Sequence, residues 1–133
     1  MSPEVSVYEA AGGEATFTRL VDRFYAAVAG DPVLRPLYPA DRTMFAAAAE
    51  HLRLFLIQYW GGPGWYGEQR GHPRLRMRHA PFSIGRAERD AWMGHMREAI
   101  ESLDLSPAVR DAFVDYFENA ATAMMNRGGP PFA

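Results

Sequence analysis

Behind Gly12-Gly13 the apolar side chains fall at Phe17, Leu20, Val21, Phe24, Tyr25 and Val28. Offsets of three and four put them on one face of a helix. That helix is expected to stop near Gly30, because Pro32 cannot continue it and biases Asp31 away from helical backbone. The next stretch, DPVLRPLYP, carries three prolines in nine residues and reads as a short connector with room for one tight turn. A second helix is predicted over 42–60, with Phe45, Ala48, Ala49, Leu52, Phe55, Leu56 and Tyr59 on one broad face; Gly61-Gly62-Pro63 ends it. From Gly61 to Pro73 five glycines and two prolines surround Trp65 and Tyr66. That segment reads as a loop long enough to be functional or packed against something. A short helix over 74–79, ended by Pro81, follows.

The third long helix is predicted over 86–103, with Trp92, Met96, Ala99, Ile100 and Leu103 facing inward. Ser106-Pro107 reads as N-cap and first residue of a fourth, which carries Val109, Phe113, Val114, Phe117, Ala120, Ala121, Met124 and Met125. RGGPPFA after Asn126 reads as a frayed tail. No stretch alternates in the period of a strand. The pattern therefore predicts an all-α chain of four principal helices with short extra turns.

Composition narrows the chemistry. At 133 residues, 48% hydrophobic and 23% charged, the chain is sized and composed as one globular domain over 1–133. A net charge of −2 gives no global electrostatic reason to bind nucleic acid or an anionic membrane. All 14 basic residues are Arg, which reads first as compositional bias. Without Cys there is no disulfide, thiolate zinc site, iron–sulfur cluster or thiol nucleophile. The start lacks the basic and apolar regions of a secretory signal, and no apolar run is long enough to span a bilayer, so the expected address is cytoplasmic.

Three details suggest a core built around a guest. Ala46 to Ala49 make the inward face of the second helix locally small. The long loop and short helix interrupt what a plain bundle would make continuous. Tyr25, Tyr38 and Trp92 bring a hydrogen-bonding tip where Leu or Phe would suffice. Among the histidines, His95 reads as structural or surface, His72 as a turn residue and His51 as a rim residue. His79, bracketed by Arg78 and by Ala80-Pro81-Phe82, is either a satisfied core histidine or a metal ligand, and chemistry alone leaves both open. No HExxH, phosphate-binding loop, nucleophile elbow, dinucleotide fingerprint or EF-hand loop is present.

The run WGGPGWYGEQRGHPRLRMRHAPFSI (60–84), followed by ERDAW (88–92), resembles a truncated haemoglobin of the second group, actinobacterial type. VYEAAGG (7–13), RFY (23–25), VLRPLYP (33–39) and LRLFLIQYWGG (52–62) match the same family pattern in order, so the resemblance covers about 7–127. It implies a two-over-two helical sandwich around haem b. Because no CxxCH is present, the haem would be held non-covalently. It also implies His79 as the iron ligand, with its other ring N–H fixed by a backbone carbonyl.

On the distal side the resemblance implies Tyr25, Tyr38 and Trp92 as donors to a bound diatomic ligand that gathers negative charge. Ala48 stands where vertebrate globins have the distal histidine, and Leu52 caps the pocket. His51 falls where relatives often carry Arg, a departure that weakens its role toward a haem propionate. Arg78 and Tyr66 are the propionate candidates, and Phe82 and Trp92 the further haem contacts. A solvated face or internal salt bridges are the alternatives for the cluster Arg70, Arg74, Arg76 and Arg78.

The implied function is reversible binding of O₂, CO and NO with slow O₂ release. The alternative is redox detoxification, an NO dioxygenase or peroxidase-like activity served by an external reductase. A third reading is a cofactor-free helical module whose Arg-rich segment meets a partner. The expected partners are small diatomic ligands, with a reductase and a homodimer left open, and neither nucleic acid nor membrane.

Overall fold

A computed structural model describes residues 6–71 and 83–126. Its helices are α1 (Val7–Ala11), α2 (Glu14–Ala29), α3 (Arg42–Tyr59), α4 (Trp65–Arg70), α5 (Arg86–Glu101) and α6 (Pro107–Ala123), with a 3-10 turn at Arg35–Leu37 between α2 and α3. The described residues contain no strand. The expected short helix over 74–79 and the tail after Asn126 lie outside the described residues.

The four long helices follow the predicted pattern closely. Phe17, Leu20, Val21, Phe24 and Val28 are buried on α2, and Phe113 and Phe117 on α6. Ser106 caps α6, its hydroxyl accepting from the Val109 amide at 3.3 Å, and Pro107 supplies a first helical residue that has no amide to satisfy. Asp41 caps α3 in the same way, accepting from Met44 at 2.9 Å. α2 packs on α3 and α5 on α6, and the two pairs meet through α2 against α5. A reciprocal pair of bonds closes the second layer: the Ile84 amide donates to Asn126 Oδ1, and the Asn126 amide to the Ile84 carbonyl, both at 2.8 Å.

Several details differ from the periodicity. α1, five residues long, is too short to show a period. It is held by Ser6, which accepts from Glu9 at 3.2 Å, and by the Tyr8 amide donating to the Trp60 carbonyl at 2.8 Å. Gly62 allows that docking: a Cβ there would lie 2.8 Å from Tyr8 Cδ1 and 2.9 Å from the Ile57 carbonyl oxygen. Within the segment expected to be a loop, residues 65–70 form α4. The glycines mask it in the sequence, but Tyr66 finds a buried seat against Phe55, with ring centroids 5.5 Å apart, and the Gly67 amide donates to Gln58 Oε1 at 2.7 Å. Ala46 and Ala47 face outward, so the small inward face of α3 is Ala48 and Ala49 alone. Tyr59, expected on the inner face, is 52% exposed, because α3 turns its last residue out over α6, where Tyr59 packs tilted against Tyr116 with ring centroids 4.3 Å apart. Met93, between Trp92 and Met96, is buried although the pattern passed over it.

Candidate functional site

The helices do not fill the space between them. A cavity of about 410 Å³ lies between the two layers, within the range of small-molecule and cofactor pockets. α2 contributes Tyr25; the connector contributes Leu34, Leu37 and Tyr38; α3 contributes Ala48, His51, Leu52 and Phe55. α4 brings Tyr66, α5 brings Arg89 and Trp92, and α6 brings Tyr116, Phe117 and Ala120. Tyr25, Tyr38, Ala48, His51, Leu52, Tyr66 and Trp92, singled out in the sequence, thus line one cavity. His79, Arg78 and Phe82 lie outside the described residues. His95, expected to be structural or surface, sits away from this lining, with Nε2 at 2.6 Å from Asp31 Oδ2.

The polar aromatics form one cluster. Tyr25 and Tyr38 meet edge to face, with centroids 5.5 Å apart and planes at 80°. Phe45 packs edge-on against both, at 5.2 Å from Tyr25 and 5.9 Å from Tyr38. Phe24 supports Trp92 at 5.2 Å, and Phe117 touches the same indole at 5.9 Å. Burial strips the phenolate of water and raises the Tyr25 hydroxyl far above the ordinary phenol value, with repulsion from Tyr38 adding to it. Tyr38 is pushed up to about 12 by burial, against the opposing effect of a hydrogen bond from Trp92. An indole N–H only donates, so Trp92, like the two phenols, brings a hydrogen-bond donor to the cavity. Both tyrosines are therefore neutral donors throughout the physiological pH range.

The far wall is different. Tyr116 is pushed up to about 12, first by burial and then by Tyr59. Arg89 reaches from α5 to α6, donating to Thr122 Oγ1 at 3.3 Å and pairing with the Glu118 carboxylate, which Arg97 also meets at 2.6 Å. Burial alone would raise the Glu118 carboxyl, but the two guanidinium groups outweigh it and hold the group below its ordinary value. Arg89 and Tyr116 were not singled out in the sequence. Arg89 is one arginine among many, and Tyr116 lies one position off the periodic face of α6, so no spacing marked either. Apolar walls, a small Ala48 and donors gathered at one end suit a mostly apolar guest with a small polar end toward the tyrosines.

Comparison with known proteins agrees with this geometry. The bacterial-like globin family model matches residues 6–126. The group 2 truncated hemoglobin YjbI of Bacillus subtilis is 41% identical over 120 residues, covering 90% of this chain and 88% of that protein. Among solved structures, the hemoglobin of the thermophilic phototroph Chloroflexus aurantiacus is 56% identical and superposes with a TM-score of 0.89, covering 93% of this chain and all of that one (100%). A truncated oxygen-avid haemoglobin from Bacillus subtilis is 40% identical, with a TM-score of 0.83, covering 92% of this chain and 100% of that one.

Proposed function

The chain belongs to the bacterial-like globin family and has the fold of the truncated two-over-two globins, and from that premise we propose a haem protein that reversibly binds O₂ and other diatomic ligands and releases O₂ slowly. The observation that carries this reading is the convergence of Tyr25, Tyr38, Trp92, Ala48 and Leu52 on one cavity. Haem b, held non-covalently, would supply an iron that coordinates the diatomic ligand. His79 is the proposed iron ligand, with Arg78, Tyr66 and His51 toward the propionates and Leu52, Phe82 and Trp92 against the ring.

The donors converge. Tyr25, Tyr38 and Trp92 each bring a neutral O–H or N–H to one end of the cavity, where they donate to the ligand. Ala48 leaves room for that ligand, Leu52 keeps water from competing for the donors, and Phe45 packs against both tyrosine rings. Each such bond must break before the ligand leaves. At about 1 kcal/mol or more apiece, two or three of them slow release by one to several powers of ten. The oxygen-avid haemoglobin of Bacillus subtilis supports the same direction.

A second reading rests on the same polar aromatics, Tyr25, Tyr38 and Trp92. Donors that hold a partly negative oxygen ligand would also serve NO dioxygenase chemistry, or polarise a peroxide O–O bond in peroxidase-like chemistry, with an external reductase supplying electrons for turnover. Sustained turnover with a reductase supports that reading over passive binding. Among the described residues no helix is long and apolar enough to cross a membrane; a cytoplasmic site of action, as a monomer or a homodimer, belongs to the proposal.

Haem titration of the purified protein tests the assignment. Wild type is expected to give a sharp Soret band that shifts when the dithionite-reduced protein meets CO, and His79→Ala is expected to disrupt it. A protein that stays colourless, or a spectrum indifferent to His79→Ala, contradicts it.

A further inference from the structure

One side chain holds the connector that carries Tyr38. Arg35 Nη1 donates to the carbonyls of Pro39 at 2.7 Å and Tyr38 at 3.4 Å, and Nη2 donates to the Ala40 carbonyl at 3.4 Å. The guanidinium carbon also lies 4.1 Å over the centre of the Phe45 ring, on the first turn of α3. Phe45 is the ring that packs against both Tyr25 and Tyr38. Arg35 is itself fixed: its amide donates to the Asp31 carbonyl at 2.8 Å, and its carbonyl accepts from the Tyr38 amide at 3.1 Å. Pro36 and Pro39 have no amide hydrogens, so few backbone bonds are available to hold this segment.

We propose that Arg35 is the positioning residue of the distal pocket: its guanidinium fixes the backbone of residues 38–40 and the face of Phe45 together, and so sets where the Tyr38 hydroxyl reaches into the cavity. The proposal rests on the reading of Tyr38 as a ligand donor. Only arginine suits the place. A planar fork lies flat on Phe45 and still spans three carbonyls, whereas a lysine ammonium is a point charge that cannot do both.

The test uses the full-length haem-loaded chain as wild type, Arg35→Lys, Arg35→Met, Tyr38→Phe and the double variant Arg35→Met/Tyr38→Phe. The readouts are the infrared C–O stretching band of the carbon monoxide complex, O₂ release by stopped flow and a melting curve. Both Arg35 variants are expected to broaden the band or move it toward its position in Tyr38→Phe, and to speed O₂ release about threefold to tenfold, the change that goes with weakening one hydrogen bond. Melting is expected to stay near wild type in Arg35→Lys, and Arg35→Met is expected to add nothing once Tyr38 is Phe. Bands and rates unchanged in both Arg35 variants, while Tyr38→Phe moves them, overturn the proposal and leave the donor reading standing. An equal effect of Arg35→Met in the Tyr38→Phe background overturns it too. Should Tyr38→Phe itself change nothing, the donor reading falls and this proposal falls with it.

Discussion

Tyr25 and Tyr38 meet edge to face with ring centroids 5.5 Å apart, and Phe45 packs against both, so two of the three polar aromatics around the cavity form one packed unit. The consequence is non-additivity. Tyr38→Phe is expected to speed O₂ release about fivefold to tenfold, as loss of a bond worth about 1–1.5 kcal/mol does, and Tyr25→Phe by a similar factor. The double variant is expected to depart from the product of the two single effects. Stopped-flow release rates in a double-mutant cycle measure this; a strict product of the two single effects contradicts the coupling.

Alkaline pH tests the burial of the phenols. Tyr38 and Tyr116 are pushed from 10.0 up to about 12, and Tyr25 is raised further, in each case first by burial. A group whose value is raised in the fold keeps its proton after the unfolded chain has lost it. Its contribution to stability is therefore complete below pH 10 and is lost as pH rises from there toward about 12. Urea midpoints are expected to be flat up to pH 10 and to fall above it, and Tyr38→Phe is expected to reduce that fall.

Acid acts through Asp31. Its Oδ1 accepts from the amides of Val33 at 2.7 Å and Leu34 at 3.3 Å, and its Oδ2 meets His95 Nε2 at 2.6 Å, joining the connector to α5. The hydrogen bond with His95, and then that from Val33, lower this carboxyl below 3.8. The contribution is present above the unfolded value and lost as pH falls through the folded one. Asp31→Asn is expected to lower the melting temperature at neutral pH and to flatten its fall in acid, read from melts across that range.

The turn after α1 requires glycine. Gly12 has φ +115°, and a Cβ there would lie 2.4 Å from Oγ1 of buried Thr16, whose hydroxyl donates to the Ala11 carbonyl at 2.8 Å. Gly12→Ala is expected to cost about 1–2 kcal/mol for the backbone alone. Gly62→Ala is expected to cost about 1–3 kcal/mol by crowding Ile57 and Tyr8. Denaturant titration of both variants checks these values.

What the sequence disclosed followed the physics of each signal. Long amphipathic helices repeat their pattern over several turns, so α2, α3, α5 and α6 were legible from side-chain spacing. α1 is too short for a period, and α4 is hidden by the glycines around Trp65 and Tyr66. Tyr59 shares the spacing of a buried face, yet α3 ends before that face is covered. The polar tips of Tyr25, Tyr38 and Trp92 suggested a guest, but their convergence is a property of three separate segments in space, and only the family resemblance anticipated it. Arg35 could not be picked out, because every basic residue is Arg and composition alone explains each one. Its role appears only when three carbonyls and one ring are seen to share its guanidinium.

Stopped-flow O₂ dissociation, on wild type beside the triple variant Tyr25→Phe/Tyr38→Phe/Trp92→Phe, tests the central claim most directly. Wild type is expected to release O₂ slower than the triple variant by one to several powers of ten, the sum of two to three bonds of about 1 kcal/mol or more. Equal rates in the two proteins, with wild type as fast as a simple storage globin, would contradict the account.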